Sequence, residues 1–411
     1  MFYYACRNTF LLLASILLLL SASACGEEKQ AIDPARAQQH ASPIEAYNSF
    51  GMDMYLEAAA DASHNVVLSP LSMAMALSMT MNGAKGGTLD EMQTIMQVGD
   101  IASEIRNSGN KELMSKLEDS SADIELSIAN SLWIRAGSNV YKDFKASNEQ
   151  HYNALVSELD FDTPSSVNAI NNWVKEATGE KISHIIEDPI DQNTLMFLIN
   201  ALYFKGDWRH KFLRMDTTDQ PFRLLDGSSI TVPMMEQTKE FPYLKAEAFQ
   251  AIRLAYVNEN WNMILVLPND GIELSEVQEK WLKDLSSWRE GFQTSTVKLG
   301  LPRFKVEFQL KMKDTLQAMG METAFDREDA DFSGIAPIPP NIYLDNVMHK
   351  AFIEVSETGT TAAAVSSSEF KELSGISSSI AMTFDRPFFF AIEEKTTGMI
   401  AFMGSIMNPL Q

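Results

Sequence analysis

Histidines, cysteines and paired carboxylates are the side chains whose spacing most often signals chemistry. The six histidines stand at 40, 64, 151, 184, 210 and 349, and no two share the spacing that puts metal ligands on one helix face. The only cysteines are Cys6 and Cys25, so the chain beyond residue 25 has no disulfide, no thiol nucleophile and no thiolate metal site. No His-Glu-x-x-His and no Gly-x-Ser-x-Gly occurs. Asn82-Gly83-Ala84-Lys85-Gly86-Gly87-Thr88 has the residue types of a phosphate loop. Its Lys precedes the Gly pair, however, so the cradle geometry fails and a Gly-rich helix terminus is the better reading. Carboxylates are plentiful, but no spacing singles out an acid/base pair. The expectation is a protein that is not an enzyme, has no catalytic residues, needs no cofactor and holds no metal.

The elements that would position any site follow from periodicity. Ser42-Pro43 suits an N-cap and first helical position. Ile44, Tyr47, Phe50, Met54 and Ala58 then recur at helical spacing. Leu71 to Met81 is a Met- and Ala-rich stretch that reads as a buried helix. Val167, Ile170, Trp173, Val174 and Ala177 mark an amphipathic helix ending at Gly179. Val297, Leu299 and Leu301 alternate as in a strand, as do Phe304, Val306 and Phe308 after Pro302. Met263 to Leu267 and Phe388 to Phe390 read as buried strands. Helices dominate the first half and strands the second, without βαβ alternation, which predicts an α+β fold. No repeat and no composition break follows residue 42, so one domain over 43–411 is expected. With 411 residues and 45% hydrophobic content the chain can bury a large core. Its net charge of −22 disfavours nucleic acid and anionic lipid surfaces as partners.

Residues 1–24 read as a secretory signal, with Arg7 as the only charge and an apolar run from Phe10 to Leu20. Ser21, Ala22, Ser23 and Ala24 then lead to Cys25. This resembles a bacterial lipobox, in which the Cys is acylated and the chain cut just before it. Ala22 stands where such sequences usually carry Leu. Residues 25–42 are polar and read as a flexible tether. The expected location is the bacterial cell envelope, after export across the inner membrane, lipid-anchored through Cys25 or otherwise extracellular.

One segment is unusual. Residues 358–380 are rich in Thr, Ala, Ser and Gly and nearly empty of large apolar side chains, with strand patterns on both sides. A loop this long inside a compact domain is uncommon and tends to be functional. Around it, several blocks resemble the serpin family of serine protease inhibitors. They are Asn65-Val-Val-Leu-Ser69-Pro70-Leu-Ser72, Asn200-Ala-Leu-Tyr-Phe-Lys-Gly206-Asp-Trp208 followed by Phe212, and Leu301-Pro302-Arg-Phe304-Lys. Ala330-Asp-Phe332-Ser333-Gly334, His349-Lys350-Ala351 and Phe384-Asp385-Arg386-Pro387-Phe388-Phe389-Phe390 follow in family order. The resemblance implies one domain of three β-sheets and eight or nine helices, with an exposed reactive-centre loop at about 357–380.

It also implies a mechanism: inhibition of serine proteases by a suicide substrate. The protease cuts the loop and forms an acyl-enzyme. The loop then inserts into the main sheet as a strand and drags the protease into a distorted form. The native protein is accordingly expected to be metastable. The family hinge pattern falls on Glu357, Gly359, Thr360, Thr361, Ala362, Ala363, Ala364, Val365 and Ser366. Thr360, Ala362, Ala364 and Ser366 share the parity that faces the core on insertion, and all are small. Counting Gly359 as the fifteenth residue before the cut puts the bond at Leu373-Ser374. Leu373 suits a chymotrypsin-, elastase- or subtilisin-like pocket. Phe370, Lys371, Glu372 and Ile376 are alternatives.

The resemblance further assigns Ser69, Ser72, Asn200 and His349 to a polar cluster under the point where the sheet opens, with Trp208 near where the loop enters. Between residues 88 and 116 only Arg106, Lys111 and Lys116 are basic, so no heparin-type activation is expected. The expected state is a monomer whose partners are proteases, held covalently, and a membrane, reached through the lipid. The alternative is a non-inhibitory serpin acting as a binding or carrier module.

Overall fold

The computed structural model describes residues 43–60, 63–99, 101–118, 124–192, 194–339, 341–360 and 379–411. The chain opens with α1 (Pro43–Ala59), β1 (Val66–Leu68), α2 (Pro70–Met81), α3 (Gly86–Ile95) and α4 (Ser103–Glu118). Next come β2 (Ile124–Arg135), α5 (Lys142–Tyr152), β3 (Leu155–Leu159), α6 (Pro164–Ala177) and β4 (Met196–Asp207). Strands then dominate: β5 (Thr218–Arg223), β6 (Ser229–Lys245), β7 (Phe249–Ala255) and β8 (Trp261–Pro268). Two single turns, α7 (Leu274–Val277) and α8 (Ser286–Arg289), precede β9 (Gln293–Pro302), β10 (Phe304–Lys311) and α9 (Lys313–Ala318). The rest is β11 (Asn346–Val355), β12 (Gly359–Thr360), β13 (Ile380–Thr383), β14 (Phe388–Glu394) and β15 (Ile400–Ile406). All described residues belong to one compact unit.

The main sheet runs β10-β11-β12-β4-β2-β3. The second network runs β1-β15-β14-β8-β7-β6-β9-β13, with β5 on β6. It narrows to a neck where only Tyr243–Lys245 of β6 pair with β7. That neck divides it into two sheets, which with the main sheet make three. Nine α-helices are present among the described residues. This is the α+β architecture expected.

The apolar pattern explains the layers. Every residue of α2 is buried, as a helix apolar all round must be. It lies between the two networks, against β2, β4 and β15. Ser69 caps it: its Oγ accepts from the Ser72 N–H at 3.0 Å, with Pro70 at the first helical position. The opposite face of the main sheet is covered by α6. There Val167, Ile170 and Val174 pack with Trp133, Ile199, Ala201 and Tyr203. Alternation along β4 therefore sends Ile199 and Ala201 to α6, and Leu198, Leu202 and Phe204 to the larger core.

Candidate functional site: the seam of the main sheet

Between β4 and β11 the main sheet has a seam. The two strands pair directly and in parallel from Asn346↔Phe197 to Phe352↔Tyr203. Above Phe352 that direct ladder stops, and β12 pairs with both neighbours. Thr360 faces Val355 of β11, while Gly359 and Thr360 face Asp207 and Gly206 of β4, antiparallel in each case. The segment expected to be exposed from Glu357 onward thus starts as buried strand. Glu357 is 3% exposed and Thr360 fully buried.

Local chemistry draws this segment in. A Cβ on Gly359 would sit 2.1 Å from the Gly206 carbonyl oxygen, so only glycine allows the close approach of the two backbones. The Thr360 hydroxyl lies 2.8 Å from the Tyr256 hydroxyl. Burial pushes the Tyr256 phenol up, so it stays neutral and can donate. Tyr256 stacks on Trp208, with centroids 4.7 Å apart and planes at 16°. Trp208 holds the turn before the hinge: its Nε1 donates to the Ser356 carbonyl at 2.9 Å and its backbone N–H to the Thr358 carbonyl at 2.9 Å.

Glu357 is anchored just outside the strand. Burial opposes its charge, but bonds from Arg303 and Thr217 outweigh this and hold its carboxyl below the usual value. Arg303 Nε lies 2.8 and 2.9 Å from the two carboxylate oxygens, its second nitrogen also reaches Oε1, and the Thr217 hydroxyl donates at 2.6 Å. The backbone is tied as well: the Phe212 N–H donates to the Glu357 carbonyl at 2.9 Å.

Farther down the seam lies a polar cluster inside the apolar core. Asn200 of β4 and His349 of β11 are register partners. His349 Nδ1 is 2.8 Å from Asn200 Oδ1, which also accepts from the Ser72 hydroxyl at 2.7 Å. The Ser69 N–H donates to His349 Nε2 at 3.3 Å. That leaves Nδ1 as the protonated ring nitrogen. Burial depresses the His349 pKa to about 3, so the ring is a neutral bridge at working pH. Asn200 Nδ2 completes the network on Asn130 Oδ1 at 2.8 Å.

Ser69, Ser72, Asn200 and His349 are therefore brought together, joining β4, β11 and α2 across the seam. Trp208 does not join them. It lies eight positions beyond Asn200 along the chain of β4, about 26 Å at 3.3 Å per residue. Thr361, Ala362, Ala363, Ala364, Val365, Ser366, Leu373, Ser374 and Cys25 lie outside the described residues. Sequence reading missed Asn130, Thr217, Tyr256 and Arg303. Arg303 stands within a block that drew notice, but its carboxylate partner is 54 residues away.

Residues 45–409 match the family model described as Serpin (serine protease inhibitor). The chain belongs to the serpin family. An uncharacterized serpin-like protein of Thermococcus kodakarensis is 33% identical over 383 residues, covering 92% of this chain and 88% of its own. The leukocyte elastase inhibitor of Xenopus laevis is 33% identical over 373 residues, covering 85% and 94%. Among solved structures, the native state of the thermophilic serpin tengpin superposes with a TM-score of 0.82 at 30% identity, covering 90% of this chain and 95% of that one. The stretch from Glu357 to Thr360 carries the hinge pattern read from the sequence, and it lies at the top of the β4–β11 seam.

Proposed function

We propose that this serpin inhibits serine endopeptidases with an apolar primary pocket, by cleavage and insertion of its reactive loop. One observation supports this most. Gly359 and Thr360 already form a strand antiparallel to both β4 and β11, at the top of a seam joined below by a single parallel ladder. A cut loop can extend that strand downward by replacing one ladder with two. In the chemical step the protease serine Oγ attacks the Leu373 carbonyl carbon. The Leu373–Ser374 C–N bond breaks, Ser374 leaves with a proton as a new amino terminus, and an ester joins Leu373 to the protease. Insertion then competes with hydrolysis of that ester. Glu357, Gly359 and Thr360 act as the hinge, and Thr361 to Ser366 as the strand that follows them in. Ser69, Ser72, Asn200 and His349 act as a latch on the seam, which must exchange partners when the strands part.

The expected result with a chymotrypsin-, elastase- or subtilisin-like protease is a complex that survives SDS, and a released peptide that begins at Ser374. A peptide starting elsewhere within 370–377 moves the bond and keeps the mechanism. Cleaved protein with no complex, across those protease classes and a trypsin-like one, returns the chain to the carrier reading. Activation by heparin-like polyanions is not expected. Arg106 of α4 is buried and donates to Asn82 Oδ1 at 3.1 Å, and Lys116 pairs with Glu112 at 2.8 Å.

The same proposal places the inhibitor on the cell envelope through an acylated Cys25, the only cysteine past the signal segment. In cells, Cys25→Ser is expected to move the protein from the detergent phase to the soluble fraction. An unchanged distribution argues instead for ordinary secretion or an uncleaved signal.

A further inference from the structure

Between the first turn of α1 and the middle of α4 lies a cavity of about 250 Å³, walled by Ile44, Ile101, Ile105 and Leu113. Ile105 is 69% exposed, a large apolar side chain left at the rim. Two cations line this apolar space. Lys116 is exposed and paired with Glu112 at 2.8 Å. Arg106 is only 6% exposed, yet among the described residues no carboxylate comes within 4 Å of its guanidinium. Its Nη2 donates to the neutral Asn82 Oδ1 at 3.1 Å, and burial keeps the nearby Tyr152 hydroxyl neutral too. Its Nε is sealed off from any ligand, whereas Nη1 makes no hydrogen bond and keeps accessible surface. A buried arginine is nearly always paired, because an uncompensated charge away from water is costly. This one calls for an anion from outside the chain.

Gly109 points the same way. It lies in the interior of α4, where glycine is the least favourable residue after proline. A Cβ there would meet nothing within 4 Å, so packing does not demand a glycine. Its bare backbone lines the cavity and leaves the space open.

We propose that this cavity binds a free aliphatic carboxylate, a fatty acid of short or medium chain. The carboxylate accepts from Arg106 Nη1, and the tail lies along Ile44, Ile101, Ile105 and Leu113. Each methylene taken out of water adds to affinity, while the charge on Arg106 selects an acid over the alcohol of the same length. The space is smaller than the roughly 300–1,000 Å³ of sites for drug-sized ligands, which fits a single short acyl chain. The bound acid ties α1 to α4 and stabilises the folded form by mass action.

The test is titration calorimetry of the intact chain with octanoate, with octanol as the same tail without the charge and acetate as the same charge without the tail. Saturable binding of octanoate is expected, at least about tenfold tighter than either control. Arg106→Gln should weaken octanoate by about that factor and leave octanol unchanged, so that the two bind alike. Gly109→Leu should remove binding of both by filling the space. Its melting temperature without ligand should hold or rise, because leucine favours a helix over glycine. If Arg106→Gln misfolds, Gly109→Leu, on the exposed side of α4, carries the comparison. Heat with octanoate no greater than with acetate, octanol bound as tightly as octanoate, or an octanoate affinity untouched by Gly109→Leu would each overturn the site. None of these readouts depends on whether the chain inhibits a protease.

Discussion

Nicking the loop within 370–377 with a non-target protease is expected to raise the melting temperature of this serpin. Cutting a chain ordinarily does the reverse, because it frees the unfolded state. The difference here lies in the seam. From Asn346 to Phe352, seven register positions of β11 pair directly with β4. A strand inserted between them removes that ladder and creates two. It runs antiparallel to both neighbours, as β12 already does, and antiparallel pairing is slightly the stronger kind. The net gain is about seven hydrogen bonds at about 1 kcal/mol each. Burial of the small side chains on the Thr360 face brings the total to the order of 10 kcal/mol. With an unfolding entropy of about 2.1 cal/mol/K per residue, a domain of this size should gain on the order of 10 °C. The intact form then persists behind a barrier rather than at equilibrium. Scanning calorimetry of intact and nicked protein gives the comparison. A nicked form that melts at or below the intact one means that the loop stays out, and the inhibitory reading fails with it.

Thr360→Arg is expected to turn the inhibitor into a substrate. Thr360 is fully buried against Tyr256, whose ring is itself buried and stacked on Trp208. The carboxylate nearest in sequence, Glu357, is already engaged by Arg303 and Thr217. An arginine at 360 must therefore either bury a charge, at a cost of several kcal/mol, or keep the hinge out of the sheet. An extra 1.4 kcal/mol on the insertion barrier already shifts the competition with hydrolysis about tenfold. The number of inhibitor molecules consumed per protease trapped should rise at least that much, while cleavage itself proceeds. Thr361→Arg, one residue along and of opposite parity, should change it far less, because alternate side chains point to opposite faces. Thr360→Val keeps the shape, loses the bond to Tyr256, and should fall between the two. Equal effects of arginine at 360 and 361 would refute the assignment of faces.

Much of the molecule was legible in the amino-acid order because local patterns carry it. The all-buried character of α2 follows from a Met-, Ala- and Leu-rich run interrupted only by the small hydroxyl residues Ser72, Ser78 and Thr80. β9, β10 and the amphipathic α6 follow from periods of two and of about 3.6 residues. The ordered family blocks placed Ser69, Ser72, Asn200 and His349, and the hinge pattern placed Gly359 and Thr360. The partners that make those residues a site were not legible, since each is a meeting of distant segments. Arg303 finds Glu357 across 54 positions, Tyr256 finds Thr360 across 104, and Asn130 finds Asn200 across 70. Nor does any pattern reveal that Gly359 and Thr360 already lie inside the sheet. That was decided by the fit of Gly359 against the Gly206 carbonyl and by the hold of Trp208 on Ser356. Periodicity records which side of an element faces the core; only the packed chain decides which buried polar atoms meet, and at what distance.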